Sequence, residues 1–386
     1  MGAIRLYWVV GELSGERYAA LLARALRERL PTLRMRGMGS ALLQTQGMEL
    51  FTSWEHYTVV GFIEVFRHLP KFIRLYRSLQ KDILTWKPHR VILVDYPGLN
   101  LRLLSWLRSQ NIPVTYFIPP QLWAWGTGRV RHLHRAEAQL LCILPFEPAF
   151  YKKFGVQATY VGHPLVSLVD EAPPFQAPRP YIALLPGSRP QEIKAMLPIM
   201  AQLPVYFPQW DFYVSRVAHL PLELYQRWAK HIPLVEVPAA SLLKGAQAAI
   251  LTSGTVTLEA ALAGCPGVIV YKGNPLSYHI AKRLVRVPYI GLPNLIAGER
   301  LYPELIQGDF TVKATVQALR EVLGQREALQ ARLQALRTEL GEKSAVENAA
   351  AQLLSAIDST ARSEGYSGEG DSARAKLDTL HLSRPA

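Results

Sequence analysis

Residues 181–195 read YIALLPGSRPQEIKA, and this stretch decides how the rest of the chain is read. The run 181–185 is short, apolar and without polar alternation, the pattern of a strand covered on both faces. Pro186 and Gly187 then break the chain. A helical run follows PGSRPQE. A buried strand that turns through glycine into a helix is the repeating unit of a parallel sheet wound with helices. The unit recurs along the chain. Residues 4–10 (IRLYWVV) lead through GELSGE into a helical run at 17–29. Residues 90–94 (RVILV) lead through DYPGLN into a helix from Leu101, and 248–251 lead through TSGT into another. Residues 114–118, 140–144, 212–217 and 267–270 are further short strands.

Between these units lies 172–180, APPFQAPRP, whose four prolines read as a linker between two lobes. The fold class is therefore α/β with two wound lobes, 1–172 and 178–310. Residues 311–358 are helical and charged, and 359–386, rich in Ser, Gly and charge, read as a disordered tail. A chain of 386 residues with 49% hydrophobic content can fill two cores. Ligands of such sheets sit at the carboxyl ends of strands, here beside a cleft between lobes.

Forty-three Lys and Arg against 30 Asp and Glu give +13, which favours phosphates, anionic lipid or nucleic acid. No recognised nucleic-acid motif accompanies the charge, so nucleic acid is not expected as a partner. Cys142 and Cys265 each lie in an apolar run and read as core filler, without a disulfide framework, which fits a reducing cytoplasm. No signal peptide and no membrane span is read from the sequence.

Five segments carry candidate chemistry. Gly187, Ser188 and Arg189 place a close backbone approach, helix-start N–H groups and a guanidinium together, suited to phosphate; the alternative is a turn with an exposed arginine. Ser253, Gly254 and Thr255 open the next such helix, with Ser253 or Thr255 as its cap and Glu259 one turn on, able to accept from a ribose diol; the alternative is an ordinary capped helix. Gly11, Ser14 and Gly15 form a loose glycine loop after the first strand, either cleft lining or a tight turn. Asp95 ends an apolar strand, where partial burial raises its pKa and suits a general base; otherwise it is a cap or a polar strand end. His163 is placed similarly and is as often structural. The fifth segment, 59–86, sets Val60, Phe62, Ile63, Phe66 and Leu69 beside Arg67, Lys71, Arg74, Arg77 and Lys81, with Pro70 expected to split it into two helices. Such an element lies on a membrane or faces a core with its basic side in water.

Together these segments resemble the lipid-A-disaccharide synthases, bacterial glycosyltransferases of GT-B type, from about Ile4 to Ala350. The resemblance rests on GELSGE (11–16), VVGFIEV (59–65), DYPGLNLRL (95–103), PPQLWAWGTGRV (119–130), ILPFEPAFY (143–151), VGHPL (161–165), LPGSRPQEI (185–193), TSGTVTLEAALAGCP (252–266) and VPYIGLPNLIAG (287–298). It implies two Rossmann-like lobes, acceptor on the first and UDP-sugar on the second. The implied reaction moves a sugar from UDP-2,3-diacylglucosamine to the 6-hydroxyl of 2,3-diacylglucosamine 1-phosphate with inversion, needing no metal or cofactor. By resemblance Asp95 is the base, Glu259 holds ribose and Asn294 lines the nucleotide side. Residues 59–75 meet acyl chains or the inner-membrane surface, making the enzyme cytoplasmic and peripheral on that membrane. The C-terminal helices pack back or are exchanged in a homodimer. The chain departs from the family pattern at Leu13, Glu16, Pro119 and Gly126, which bears on acceptor preference more than on the nucleotide.

Overall fold

The computed structural model describes residues 3–57, 69–124, 126–274, 287–341 and 344–363. Thirteen strands among these form two parallel sheets. The first has the order β3-β2-β1-β4-β5-β6-β7, where β1 is Arg5–Val10, β2 Arg34–Gly39, β3 Met48–Ser53, β4 Arg90–Val94, β5 Val114–Phe117, β6 Gln139–Cys142 and β7 Thr159–Tyr160. The second has the order β10-β9-β8-β11-β12-β13, where β8 is Tyr181–Leu185, β9 Asp211–Ser215, β10 Leu234–Val235, β11 Ala248–Thr252, β12 Gly267–Tyr271 and β13 Glu304–Ile306.

The central strands are buried on both faces because successive side chains point to opposite sides of a sheet and both sides are covered. Leu6, Trp8 and Val10 join one apolar cluster, while Tyr7 and Val9 join another. Strand β11 divides the same way: Ala249 and Leu251 go to the first cluster, Ala248 and Ile250 to a third. The first cluster runs through both lobes and takes in Leu258 and Leu262 of helix Thr255–Leu262 and Leu353 of helix Ala345–Ser363. The lobes are thus joined by shared core as well as by chain.

The segment 172–180 is not a free linker. Phe175 donates its backbone N–H to the Ser241 carbonyl and sets its ring edge-on to Tyr181 and Tyr213. After helices Val312–Gly324 and Arg326–Glu339 the chain crosses back to the first lobe. There Arg90 donates to the Ala356 carbonyl, Gln139 to that of Gln352, and Asn348 to that of Val161. The C-terminal helix therefore packs back within its own chain. It runs to Ser363, past the expected tail start at 359; residues 364–386 lie outside the described residues.

Candidate active site between two switch points

In each sheet the strand order reverses between two central neighbours, β1 and β4 in the first and β8 and β11 in the second. Loops leaving such a pair turn to opposite faces and open a crevice at the strands' carboxyl ends. Val10 pairs with Val94, so the 11–15 loop and Asp95 emerge side by side. Leu185 pairs with Leu251, so the 186–189 and 252–255 loops do the same. The two crevices meet across the lobes: the Arg17 charge acts on the Glu259 carboxyl group, and Glu259 acts on the Tyr18 phenol.

Asp95 and Tyr96 both hold left-handed backbone, φ 44° and 49°, a conformation costly for residues with side chains. Surrounding bonds enforce it. The Asp95 carbonyl accepts from the Tyr116 hydroxyl at 2.7 Å and from Asn100 Nδ2 at 2.8 Å, and its N–H donates to the Ile118 carbonyl at 3.2 Å. Tyr96 then lies flat over Gly11, where a Cβ would stand 2.1 Å from the ring, so this position admits only glycine. Burial pushes the Asp95 carboxyl group well above the usual carboxylate range. The charge of Glu12 and a hydrogen bond with it push in the same direction. Ser14 Oγ donates to Glu12 Oε1 at 2.5 Å, and Gly15 is buried against Val94 and Asp95.

Glu12, the second residue of GELSGE, is one of two residues near the crevice that sequence reading missed. Its relevance depends on β1 lying beside β4, strands some 80 positions apart in sequence. Glu147 was missed in the same way. It is buried, accepts from Trp123 Nε1 and the Leu144 N–H, and is pushed up to about 7 by burial. His163 proves structural: burial lowers its pKa to about 3, and its Nδ1 accepts the Leu165 N–H at 3.1 Å. Glu16 turns away from the crevice and accepts from both N–H and Oγ of Ser40 and from Trp54 Nε1. These bonds tie the 40–54 region to helix Leu13–Arg29. Of the other departures, Leu13 is 45% exposed at the first turn of helix Leu13–Arg29, Pro119 is buried, and Gly126 takes φ 82°.

In the second lobe the helix start after β8 is already occupied by the chain itself. Glu192 Oε2 accepts the Ser188 N–H at 2.9 Å and the Arg189 N–H at 3.2 Å, while Glu192 Oε1 accepts from Arg189 Nη1 at 3.1 Å. Gly187, φ 110°, makes room for this carboxylate; a Cβ there would lie 2.4 Å from Glu192 Oε2. The two amides expected to meet phosphate are therefore engaged, whereas the exposed Arg189 side chain can exchange its glutamate for an anion. Helix Thr255–Leu262 differs: Gly254 is its N-cap, and neither Ser253 nor Thr255 caps it, correcting the sequence expectation. No side chain of its own covers this start, so here the helix can offer N–H groups to an anion. Glu259 accepts the Ala240 N–H, and burial raises its pKa.

Asn294 is a second correction. It is fully buried and satisfied within the protein: Nδ2 donates to the Tyr302 carbonyl at 2.8 Å and to Glu304 Oε1 at 2.9 Å, and Oδ1 accepts the Tyr302 N–H at 2.8 Å. It shapes the 290–304 loop and does not line the crevice. Sequence could not separate these roles, because a buried amide and a ligand-binding amide look alike in one chain.

Val60, Phe62, Ile63 and Phe66 lie outside the described residues. Pro70 stands at the second position of helix Leu69–Trp86, and what precedes it in 59–68, where the split was expected, lies outside the described residues. Leu75, Leu79 and Ile83 enter the core, while Lys71, Ile73, Arg74, Arg77, Lys81 and Leu84 are exposed.

Two wound lobes whose switch points face each other define a GT-B architecture. The fold matches the calicheamicin glycosyltransferase with TM-score 0.61 and 15% identity, covering 94% of this chain and 100% of that one. It matches a putative UDP-N-acetylglucosamine 2-epimerase from Listeria monocytogenes with TM-score 0.61 and 13% identity, covering 92% and 96%. Transferases and epimerases share this fold, so fold does not choose between them.

Sequence does. The family model for lipid-A-disaccharide synthetase matches residues 6–357, and the chain belongs to that family. It is 38% identical to the lipid-A-disaccharide synthase of Acidobacterium capsulatum over 84% of this chain and 88% of that protein. It is 36% identical to that of Syntrophus aciditrophicus over 90% and 97%. The chain is a glycosyltransferase of lipid A disaccharide synthesis.

Proposed function

We propose that the crevice joins UDP-2,3-diacylglucosamine to 2,3-diacylglucosamine 1-phosphate by one inverting displacement. Asp95 removes the proton of the acceptor 6-hydroxyl as its oxygen bonds to the donor anomeric carbon. The bond from that carbon to the diphosphate breaks, and UDP leaves with the electron pair. Negative charge grows on the diphosphate in the transition state, and fixed donors there lower the barrier. The open start of helix Thr255–Leu262 and the Arg189 guanidinium supply them, with Ser188 and Ser253 beside them and Glu259 toward the ribose. The observation that carries this reading is the placement of Asp95, a carboxyl group of raised basicity held by enforced backbone at one switch point, across from an uncapped helix start at the other.

The test follows UDP release and disaccharide together. Asp95→Asn is expected to lower turnover roughly 10²–10⁴-fold while UDP still binds, and Arg189→Ala to weaken UDP binding. Near wild-type turnover in Asp95→Asn overturns the base assignment. UDP release without disaccharide assigns a different acceptor.

The acyl chains place the substrates at the inner-membrane surface on its cytoplasmic side. Supporting attachment there are the exposed basic stripe of helix Leu69–Trp86 and the apolar composition of 59–66. None of the described helices is long and apolar enough to cross a membrane. A homodimer would arise by exchanging helix Ala345–Ser363 between copies; a single-chain mass by light scattering removes it.

A further inference from the structure

Two loops leave the first sheet near Asp95 and are fastened to each other. Residues 118–124 follow β5, the neighbour of β4, and residues 143–147 follow β6, so both stand at the same carboxyl edge as Asp95. The first loop is tied to the Asp95 backbone: the Asp95 N–H donates to the Ile118 carbonyl at 3.2 Å, and the Ile118 N–H donates to the Leu141 carbonyl at 3.0 Å. Further along, the Pro120 carbonyl accepts from the Tyr151 hydroxyl at 2.9 Å. Trp123 Nε1 donates to Glu147 Oε1 at 3.1 Å, and Glu147 Oε2 accepts the Leu144 N–H at 3.1 Å. The Trp123 ring also meets Phe146 edge-on, with centroids 5.0 Å apart and planes at 88°.

The ring held in this way is only half-buried, whereas Glu147 and Tyr151 beneath it are buried. Leu122 enters the cluster that takes Tyr7 and Val9, on one face of the sheet. Trp123, with Ile118 and Phe146, packs instead on the cluster that runs through both lobes, which puts it on the face where the lobes join. An indole has one polar atom, and Glu147 takes it, so the part left exposed is carbon. A buried carboxyl group is costly unless its oxygens are used; here both are spent, one on the indole and one on the turn that carries Phe146. The result is an apolar plate of fixed orientation at the edge that carries Asp95.

We propose that Trp123 is an acceptor-binding residue, stacking on the apolar face of the acylated sugar whose hydroxyl meets Asp95, and that Glu147 is the positioning residue that fixes the indole plane. The inference rests on the reading of 2,3-diacylglucosamine 1-phosphate as the acceptor on the first lobe. Loss of the ring then weakens the acceptor and spares the donor, whose nucleotide lies on the second lobe. Loss of Glu147 leaves the ring but frees it to turn.

Full-length enzyme is assayed in mixed micelles with each substrate varied in turn, for wild type, Trp123→Ala, Trp123→Phe, Glu147→Ala and Glu147→Gln. In parallel, the indole N–H signals of ¹⁵N-tryptophan enzyme are followed by NMR; the Trp123 signal is the one lost in Trp123→Phe. Trp123→Ala is expected to raise the acceptor KM about tenfold and to leave the donor KM within about twofold of wild type. Trp123→Phe keeps a plate and falls between the two. Glu147→Ala raises the acceptor KM as well, and Glu147→Gln, which still offers a carbonyl to the indole, recovers part of that loss. The diacylated acceptor moves the Trp123 signal, and UDP alone leaves it in place. An unchanged acceptor KM in Trp123→Ala, an equal rise in both KM values, or a Trp123 signal that the acceptor does not move overturns the assignment while the acceptor reading stands. Should either alanine variant fail to fold, the NMR titration of wild type and the KM values of Trp123→Phe and Glu147→Gln decide. Wild-type enzyme that forms no disaccharide instead removes the acceptor reading beneath it.

Discussion

Replacing Asn294 by alanine separates a scaffold amide from a nucleotide-binding one. The substitution removes three hydrogen bonds of 2.8, 2.9 and 2.8 Å and leaves the buried N–H and carbonyl of Tyr302 without partners. Each orphaned buried group costs about 1–3 kcal/mol. The two groups together cost about 2–6 kcal/mol before any cavity is counted. For a lobe of this size, that lowers Tm by roughly 4–24 °C. The loop suffers as well, since Glu304 also accepts the N–H groups of Ile290 and Gly291 at 3.0 Å and loses the amide that fixes it. Asn294→Asp is the sharper variant. It keeps the shape, but it sets a carboxylate against Glu304 and cannot donate to Tyr302. Differential scanning calorimetry reads stability and isothermal titration with UDP reads the site, below the transition temperature of each variant. Both variants are expected to melt early yet bind UDP with wild-type affinity while folded. An unchanged Tm with weakened UDP binding would refute the scaffold assignment and return Asn294 to the crevice.

Two further outcomes are expected. His163 is buried neutral with its pKa lowered from 6.5 to about 3, so the unfolded chain binds the extra proton first as pH falls. Its contribution is fully present above pH 6.5 and falls by about 2 kcal/mol on going to pH 5. Glu147, raised to about 7, works the other way, losing its contribution as pH rises from its unfolded value through 7. Urea midpoints for wild type and His163→Asn should therefore diverge less at pH 5 than at pH 7, and an equal gap at both pH values would count against the assignment. For the membrane face, Phe62→Ser with Phe66→Ser, and separately Arg74→Gln with Arg77→Gln, should each reduce sedimentation with anionic vesicles. Intact binding in both double variants would remove residues 59–77 as the attachment surface.

Much of the fold was legible in the chain because parallel strands buried on both faces must be apolar throughout. The strands at 90–94 and 181–185 were read to the residue for that reason. By contrast β2, RMRGMG, and the two-residue strands β7 and β10 carry no such run; their pairing is set by neighbours, and sequence gave no sign of them. The glycine turns after β1, β8 and β11 were legible as crevice loops because strand ends and helix starts leave a local signature.

What the turns hold was a different matter. Sequence placed Asp95 at a strand end, and with it the family and the reaction class. Only tertiary structure set Glu12 against it, gave the Ser188 and Arg189 amides to Glu192, left helix Thr255–Leu262 uncapped, and enclosed Asn294 within its own loop. The physical reason is range. Strand, turn and helix preferences act over a few residues and are written locally, whereas a side chain's partner is whatever group the strand order brings beside it.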